Sequence, residues 1–152
     1  MHNPFTNKNL RSLYDPALEK WWFSAVDICA ILLDGTYEDG REYWKKIKYD
    51  LSTRKNQPVG KSDQLKMPAK NGKYYFTDVL DIKQVLHLIL TIPCPTAEPF
   101  RLWIIDMLAE NTPVENYLVE AGQTCAQKIA EKYLSNPQKF AARHTVTRRR
   151  LV

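Results

Sequence analysis

Three prolines between two apolar runs constrain the fold of this chain more than any other feature. The prolines are Pro93, Pro95 and Pro99. They stand between Val79–Leu90 and Phe100–Leu108, and both runs have the hydrophobic spacing of a helix. Proline lacks the N–H that a helix interior needs, so the first run has to end before Pro93. Because proline suits the first turn of a helix, the sequence predicts two packed helices that meet at a rigid connection. We call this segment, Ile92–Trp103, the proline joint.

Short strands and two helices are predicted before the proline joint. Ser24 and Asp27 form a capping-box pattern, and Asp39 with Glu42 three residues later is a second signal for a helix start. Asn71-Gly72 favours a hairpin with a type I′ turn, which needs positive φ at both residues. The predicted strands are Leu10–Tyr14, Trp21–Ser24, Gln64–Ala69 and Lys73–Thr77, and the predicted helices are Ala25–Leu33 and Gly40–Thr53.

Cap residues predict three further helices around and after the proline joint. Thr77 or Asp78 is the expected cap of the helix before it, and Thr96 that of a helix over Ala97–Glu110. Thr112-Pro113-Val114-Glu115 combines an N-cap, a proline at the first helical position and an acid in the first turn. The expected fold class is α+β, with a small antiparallel sheet and a β-hairpin packed on several short helices, plus a C-terminal helical extension. We expect one domain over residues 1–110 and a C-terminal helix with a basic tail over 111–152.

Charge is segregated along the chain, and this indicates an anionic polymer as partner. From Arg41 to Lys73 there are ten Lys/Arg against three acids, and from Lys128 to Val152 seven Lys/Arg against one. The rest of the chain has five Lys/Arg against thirteen acids, so the three parts carry +7, +6 and −8 and return the net charge of +5. Two basic blocks on an acidic remainder favour nucleic-acid binding; the alternative is that each block is only a solvated face.

Lysines of the first basic block are the main candidates for contact with DNA. Three of them lie on the predicted Trp44 helix, opposite its apolar stripe, and three edge the predicted hairpin. Lysine is a compact charge that suits phosphates, whereas bidentate reading of guanine is the task of arginine. We therefore predict double-stranded DNA as the partner, contacted mainly through its phosphates. The predicted DNA-binding residues are Arg41, Lys45, Lys46, Lys48, Arg54, Lys66, Lys70, Lys73, Arg148, Arg149 and Arg150.

Five segments occur in an order that is typical of one protein family. They are Trp22–Cys29, Tyr43–Lys48, Gln64–Lys66, Asn71–Asp78 and the proline joint. In this order they resemble the N-terminal domain of the BRO family, which phage antirepressors and related mobile-element proteins carry. The resemblance covers roughly Trp21–Leu108. It implies a DNA-binding domain in phage regulation, with no catalytic activity. Such domains commonly have Ser-Pro-Lys where this chain has Cys94-Pro95-Thr96, so we interpret the joint as architecture and not as a phosphate contact.

Patterns that would indicate an enzyme or a metal site do not emerge from the sequence. The three histidines share no helical face, and the three cysteines have neither zinc-ligand nor disulfide-framework spacing. The clustered acids near Asp34 and Asp39 fit turns and caps, and a glycine-rich phosphate loop is missing. We therefore expect no catalytic residues, no cofactor and no metal. The sequence also predicts no membrane span, and its cysteine usage fits the cytoplasm.

The predicted C-terminal helix supports an alternative function. Its apolar residues recur at threes and fours, as on a helix that packs on its own domain or on a partner. The candidate protein-interaction residues are Val114, Leu118, Ala121, Cys125 and Ile129. On this alternative the protein is an antirepressor that captures a repressor or another host protein without binding DNA. The same stripe leaves a homodimer open.

Overall fold

The fold combines one antiparallel sheet with helices that pack against it. The computed structural model describes residues 3–52, 63–111, 113–122 and 148–150. The strands are β1 Ser12–Asp15, β2 Lys20–Ser24, β3 Asp63–Pro68, β4 Tyr74–Leu80 and β5 Arg148–Arg150, in the order β1-β2-β4-β3-β5. The helices are α1 Ala25–Leu33, α2 Tyr37–Ser52, α3 Ile82–Thr91, α4 Glu98–Ala109 and α5 over 114–122. The predicted α+β class is confirmed.

Alternation along the β3–β4 hairpin gives it one buried face and one outer face. Leu65, Met67 and Val79 point inward and form a small core with Trp22 and Leu13. The outer face consists of the cross-strand pairs Gln64–Asp78, Lys66–Phe76 and Pro68–Tyr74. Because side chains of directly paired residues lie on the same side of a sheet, these six residues share one surface. The main core lies elsewhere, among α1, α3, α4 and α5.

Arg11 connects strands β1 and β3 of the sheet with helices α1 and α2. Its Nε donates to Asp27 Oδ2 at 2.8 Å, and its Nη1 donates to the carbonyl oxygen of Pro68 at 3.0 Å. Its guanidinium also lies over the ring of Tyr37, 5.7 Å from the centroid. Arg11 therefore ties the start of β1 to the first turn of α1, the end of β3 and the start of α2.

Helices α1 and α2 pack closely because a glycine stands at their contact. A Cβ atom on Gly40 would lie 2.6 Å from the carbonyl oxygen of Val26 and 2.7 Å from Ala30 Cβ. Helix α1 begins as predicted, with Ser24 Oγ accepting a hydrogen bond from the Asp27 N–H. Helix α2 begins three residues earlier than we predicted. The Thr36 N–H donates to Asp39 Oδ2 at 2.9 Å, and the Asp39 N–H donates to Thr36 Oγ1 at 3.2 Å. Thr36 is therefore the N-cap of this capping box, and Asp39 is its N3 residue.

The hairpin turn is not of type I′. Among its residues only Gly72 has positive φ, at 79°. The Gly72 N–H donates to the Ala69 carbonyl at 3.0 Å, and the Ala69 N–H donates to the Lys73 carbonyl at 2.8 Å. This pattern is a three-residue loop that closes with a glycine bulge. Asn71 keeps a negative φ, and its side-chain oxygen instead accepts a hydrogen bond from the Lys73 N–H at 2.9 Å.

The caps that we predicted on either side of the proline joint are also wrong. Thr77 and Asp78 lie inside β4, and Asp81 caps α3 in a capping box with Gln84. Strand β4 continues because Val79 and Leu80 pair with β2 as well. After the joint, α4 begins at Glu98 behind a 3-10 turn, and the hydroxyl of Thr96 donates to the Leu32 carbonyl instead of capping a helix.

Arg101 completes the proline joint from the side of α4. Its guanidinium donates to the carbonyls of Ile89 and Ile92, which the end of α3 leaves without helical partners, and to the carbonyl of Cys94 within the joint. It also forms an ion pair with Glu98 at 3.0 Å. The joint is therefore held by a partly buried cation at the carbonyl end of a helix, where cations are stabilising.

Helix α5 packs on its own domain. Val114, Leu118 and Ala121 are buried in the main core, and a Cβ atom on Gly122 would lie 2.2 Å from the Leu10 carbonyl oxygen. The core therefore extends beyond residue 110, where we had placed the end of the first domain. None of the helices in the described ranges has the length and apolar character needed to cross a bilayer.

Candidate nucleic-acid interface

One flank of α2 carries a row of basic residues. Arg41, Lys45 and Lys48 follow each other at helical spacings of four and three, so they lie on the same side of the helix. Arg41 and Lys45 are exposed. Lys45 lies 3.7 Å from Glu42, but both side chains are well exposed, at 62% and 73%. Such a pair contributes little, so Lys45 stays available to an anion.

Lys48 has a different environment, because it is bound to Asp78 on the outer face of the hairpin. Lys48 Nζ donates to Asp78 Oδ2 at 2.9 Å, and Trp44 Nε1 donates to the same oxygen at 2.7 Å. The other carboxylate oxygen accepts from Gln64 Nε2 at 2.9 Å. Burial would raise the pKa of Asp78, but the three donors and the charge of Lys48 outweigh it, so the pKa lies below its usual value. Asp78 thus joins α2 to both strands of the hairpin.

Lys66 lies on this same outer face, one cross-strand pair away from the contact with α2. Its Nζ is 5.5 Å from the centroid of the Phe76 ring, and Phe76 is 36% exposed. Helix α2 is tied to the hairpin on both sides of this pair, through Lys48 on Asp78 and through Tyr37, Arg11 and the Pro68 carbonyl. Lys66 and the Arg41–Lys45 flank of α2 therefore belong to adjoining surfaces. We call Arg41, Lys45 and Lys66 the basic face.

The other described lysines of the first basic block, Lys46, Lys48, Lys70 and Lys73, lie outside the basic face. Lys70 and Lys73 are exposed in and next to the hairpin turn, beyond Pro68. Lys46 is exposed on another side of α2, in an open cleft with Leu33, Gly35, Asp39, Glu42 and Tyr43. The structure therefore does not place Lys46 with the hairpin, although it follows Lys45 directly in the sequence. Lys48 is part of the framework that joins α2 to the sheet.

Three residues of the second basic block, Arg148–Arg150, pair with the hairpin through their backbone. Strand β5 pairs antiparallel with β3, with Arg149 opposite Gln64 and Arg148 opposite Leu65. Position 149 thus stands in register with the Gln64–Asp78 pair of the outer face. Arg54, Cys125 and Ile129, which we also predicted as site residues, lie outside the described residues. Three of the predicted protein-interaction residues, Val114, Leu118 and Ala121, are buried in the chain's own core, which is the own-domain alternative.

Sequence reasoning missed Asp78 as the residue that organises the interface. We read it as a helix cap because an acid at the start of an apolar run commonly has that role. Its signal was the alternation of β4, in which Phe76 and Asp78 are two residues apart on one face. Trp44 and Lys48 precede Asp78 by 34 and 30 positions, and no sequence signal shows that both side chains bind its carboxylate.

The described residues contain no group of three or more histidines, cysteines and acids that could hold a metal ion. Burial raises the pKa of the Cys29 thiol to about 12, so the reactive thiolate is suppressed at that residue. The arrangement that is present offers cations and an exposed aromatic ring, which suit a polyanion better than a bond-breaking reaction.

Comparison with known proteins gives one match. Residues 10–110 match the family model described as the BRO family, N-terminal domain. A search of curated proteins and a search of solved structures each return no significant match.

Proposed function

The chain belongs to the BRO family, because the N-terminal domain of that family matches residues 10–110, and on this premise we propose that it is a DNA-binding regulatory protein of the phage antirepressor type. It contacts duplex DNA mainly through phosphates. The observation that carries the proposal is the basic face, where two different elements present cations on adjoining surfaces. Arg41 and Lys45 come from α2 and Lys66 from the hairpin.

A surface of this kind suits the backbone of a duplex. Phosphate contacts position a protein on DNA, and Lys/Arg side chains make most of them. The ion pair and the hydrogen bonds of Asp78 hold α2 and the hairpin in one arrangement. The two elements that carry the cations therefore do not have to be brought together when DNA binds. The hairpin turn adds Lys70 and Lys73 at one end, and the backbone of Arg148–Arg150 pairs with β3 at the other.

The composition of the basic face favours affinity over sequence reading. Lysines dominate it, and lysine meets a phosphate as a point charge without the bidentate geometry that distinguishes bases. Among the described residues of the first basic block, Arg41 is the one arginine. We therefore expect binding that depends strongly on salt and weakly on DNA sequence.

Binding to a fluorescent duplex of about 20 base pairs, measured by anisotropy across a salt series, tests the proposal. Neutralising two phosphate contacts with Lys45→Met and Lys66→Met should weaken binding to every duplex. It should also lower the slope of log affinity against log salt by about 1.8, since each contact contributes about 0.9. Lys83→Met is the matched control, because Lys83 is an exposed lysine on α3 outside the basic face.

Two results would count against the proposal. One is an equal loss of affinity in the Lys83→Met control, which would show that net charge, and not the basic face, determines binding to DNA. The other is a folded chain that retains no duplex at low salt but captures a protein partner in a parallel pull-down. That second result would favour the protein-binding antirepressor.

A further inference from the structure

Helix α4 presents an apolar stripe to solvent on the side that faces away from the core. Leu102, Ile105 and Leu108 are 54%, 55% and 61% exposed. Among the described residues, four large aliphatic side chains are more than half exposed, and three of them are these. We call them the α4 stripe. The opposite side of the same helix is fully used, since Phe100, Trp103, Ile104 and Met107 are buried.

The stripe is apolar beyond what the fold of this domain requires. A surface helix ordinarily has one apolar side toward the core and polar residues on the other. Helix α4 is apolar on both sides, so burial in its own domain accounts for only half of its pattern. Exposed apolar groups that follow one helix face and are bordered by charges are typical of interaction sites.

Acidic residues border the stripe. Glu98 and Asp106 each stand four residues from Leu102, which places them beside it on the helix surface, and Glu110 follows at the end of α4. Over residues 98–122 there are five acids and one arginine. That arginine, Arg101, is turned inward onto the carbonyls of the proline joint and offsets the charge of Glu98, with which it pairs at 3.0 Å, so Asp106 and Glu110 are the acids that border the stripe with their charge available. The charge around the stripe is therefore negative.

An exposed apolar stripe bordered by acids is complementary to a partner surface that is apolar and basic. We propose that the α4 stripe docks a basic amphipathic helix of a partner protein, a second binding activity distinct from contact with DNA. Leucine-like side chains of the partner pack between Leu102, Ile105 and Leu108, and its lysines or arginines meet Asp106 and Glu110. A second copy of this chain fits less well, because a symmetric α4–α4 contact would bring the same acids together. DNA is repelled by the same charges.

Synthetic helical peptides test the proposal with the full chain. One probe of about 20 residues carries leucines at positions i, i+3, i+4 and i+7 with lysines elsewhere, and a matched probe has glutamates in place of the lysines. Anisotropy at roughly 0.1 M salt should show saturable binding of the basic probe and at least about tenfold weaker binding of the acidic one.

Variants of the stripe locate the site. Leu102→Ser with Ile105→Ser should weaken the basic probe about tenfold or more, as expected for losing two partly exposed aliphatic anchors. Asp106→Lys with Glu110→Lys should weaken the basic probe and strengthen the acidic one. Leu18→Ser is the control, because Leu18 is 43% exposed in the β1–β2 turn, away from α4. An unchanged urea midpoint establishes that each variant is folded.

Two outcomes would overturn the inference. The first is equal affinity of the basic probe for the wild-type chain and for the double serine variant. The second is a wild-type chain that sediments as a dimer and becomes a monomer in the double serine variant, since the stripe would then be covered by a second copy. Both outcomes leave the DNA measurements unaffected, so the two activities are judged separately.

Discussion

At the scale of single residues, the charge of a lysine is less informative than the partner that it meets. Lys48 and Lys45 lie on the same flank of α2, yet Lys48 is bound at 2.9 Å to a carboxylate that is only 11% exposed. Lys45 faces solvent beside an equally exposed acid. An ion that is already paired in a half-buried site gives a weaker field at a distance than an exposed one. The two lysines should therefore contribute differently to binding.

We expect Lys48→Met to leave the salt dependence of DNA binding nearly unchanged, whereas Lys66→Met lowers the slope of log affinity against log salt by about 0.9. The reason is that the charge of Lys48 is offset by Asp78, while Lys66 lies over an aromatic ring and forms no ion pair within the described residues. Anisotropy titrations at several salt concentrations measure both slopes. Equal slope changes in the two variants would show that Lys48 contacts phosphate directly.

Replacement of Asp78 should destabilise the fold and change its response to acid. Asp78→Ala removes the acceptor of Trp44, Lys48 and Gln64, and leaving such donors unpaired costs about 2–4 kcal/mol of unfolding free energy. The carboxyl has a lower pKa in the folded chain than in the unfolded chain, so its contribution is complete above the unfolded value and is lost as pH falls. Urea denaturation should show the difference between wild type and Asp78→Ala shrinking below about pH 4.

Asp106→Ala serves as the control for that measurement, because Asp106 is exposed on α4. Its unfolding free energy should stay within about 0.5 kcal/mol of wild type. A stability loss in Asp78→Ala that does not depend on pH would mean that the charge of Asp78 is unimportant and only its shape matters.

At the scale of elements, the proline joint depends on a residue that follows the prolines. The prolines end α3 and allow α4 to begin, but they cannot bond the carbonyls that the end of α3 exposes. Arg101 reaches back from α4 to two of those carbonyls, those of Ile89 and Ile92, and to the carbonyl of Cys94 within the joint. The angle between the two helices is therefore determined by one long side chain as well as by the prolines.

Arg101→Met should lower the unfolding free energy by about 2 kcal/mol, since hydrogen bonds from a charged group to buried carbonyls are among the stronger ones. Methionine keeps most of the apolar volume of the arginine stem, so the loss reports the guanidinium. Urea denaturation with Lys83→Met as the control measures the effect. A midpoint equal to wild type would show that the prolines alone hold the joint.

At the scale of the whole molecule, the family domain and the folded unit have different limits. The family match ends at residue 110, whereas Val114 and Leu118 are buried in the same core as Phe5 and Leu10. The backbone of Gly122 also lies against Leu10 too closely for any side chain. Helix α5 is thus part of the structure that presents the basic face.

A chain that ends at residue 110 should be markedly less stable than one that ends at residue 122. The shorter chain exposes the side of Trp103 on which the Tyr117 ring of α5 packs and lacks the buried side chains of Val114 and Leu118, and each large apolar side chain lost from the core or left uncovered costs about 1.5–3 kcal/mol. Thermal unfolding followed by circular dichroism compares the two. Identical melting temperatures would contradict the assignment of α5 to the core.

The sequence by itself determined the local features of this protein. The start of α1 at Ser24, the bend of the hairpin at Gly72 and the end of α3 before Pro93 follow from residues within a few positions of each other. The α+β class and the family resemblance also followed from such segments taken in order. The prediction of helix caps was wrong where a residue fits two elements, as at Asp78, which lies inside β4 and not at the start of a helix.

Only the tertiary structure decided which charges and apolar stripes are available to partners. It placed Lys48 on Asp78 and turned Lys46 away from the hairpin, although both had looked equally free in the sequence. It also buried Val114, Leu118 and Ala121 in the chain's own core, where the sequence had left packing on the own domain or on a partner open. Within the described residues, it also left Leu102, Ile105 and Leu108 on the outer side of α4 exposed. The physical reason is that ion pairing and burial depend on residues that are distant in the chain, and their positions are known only once the helices have packed on the sheet.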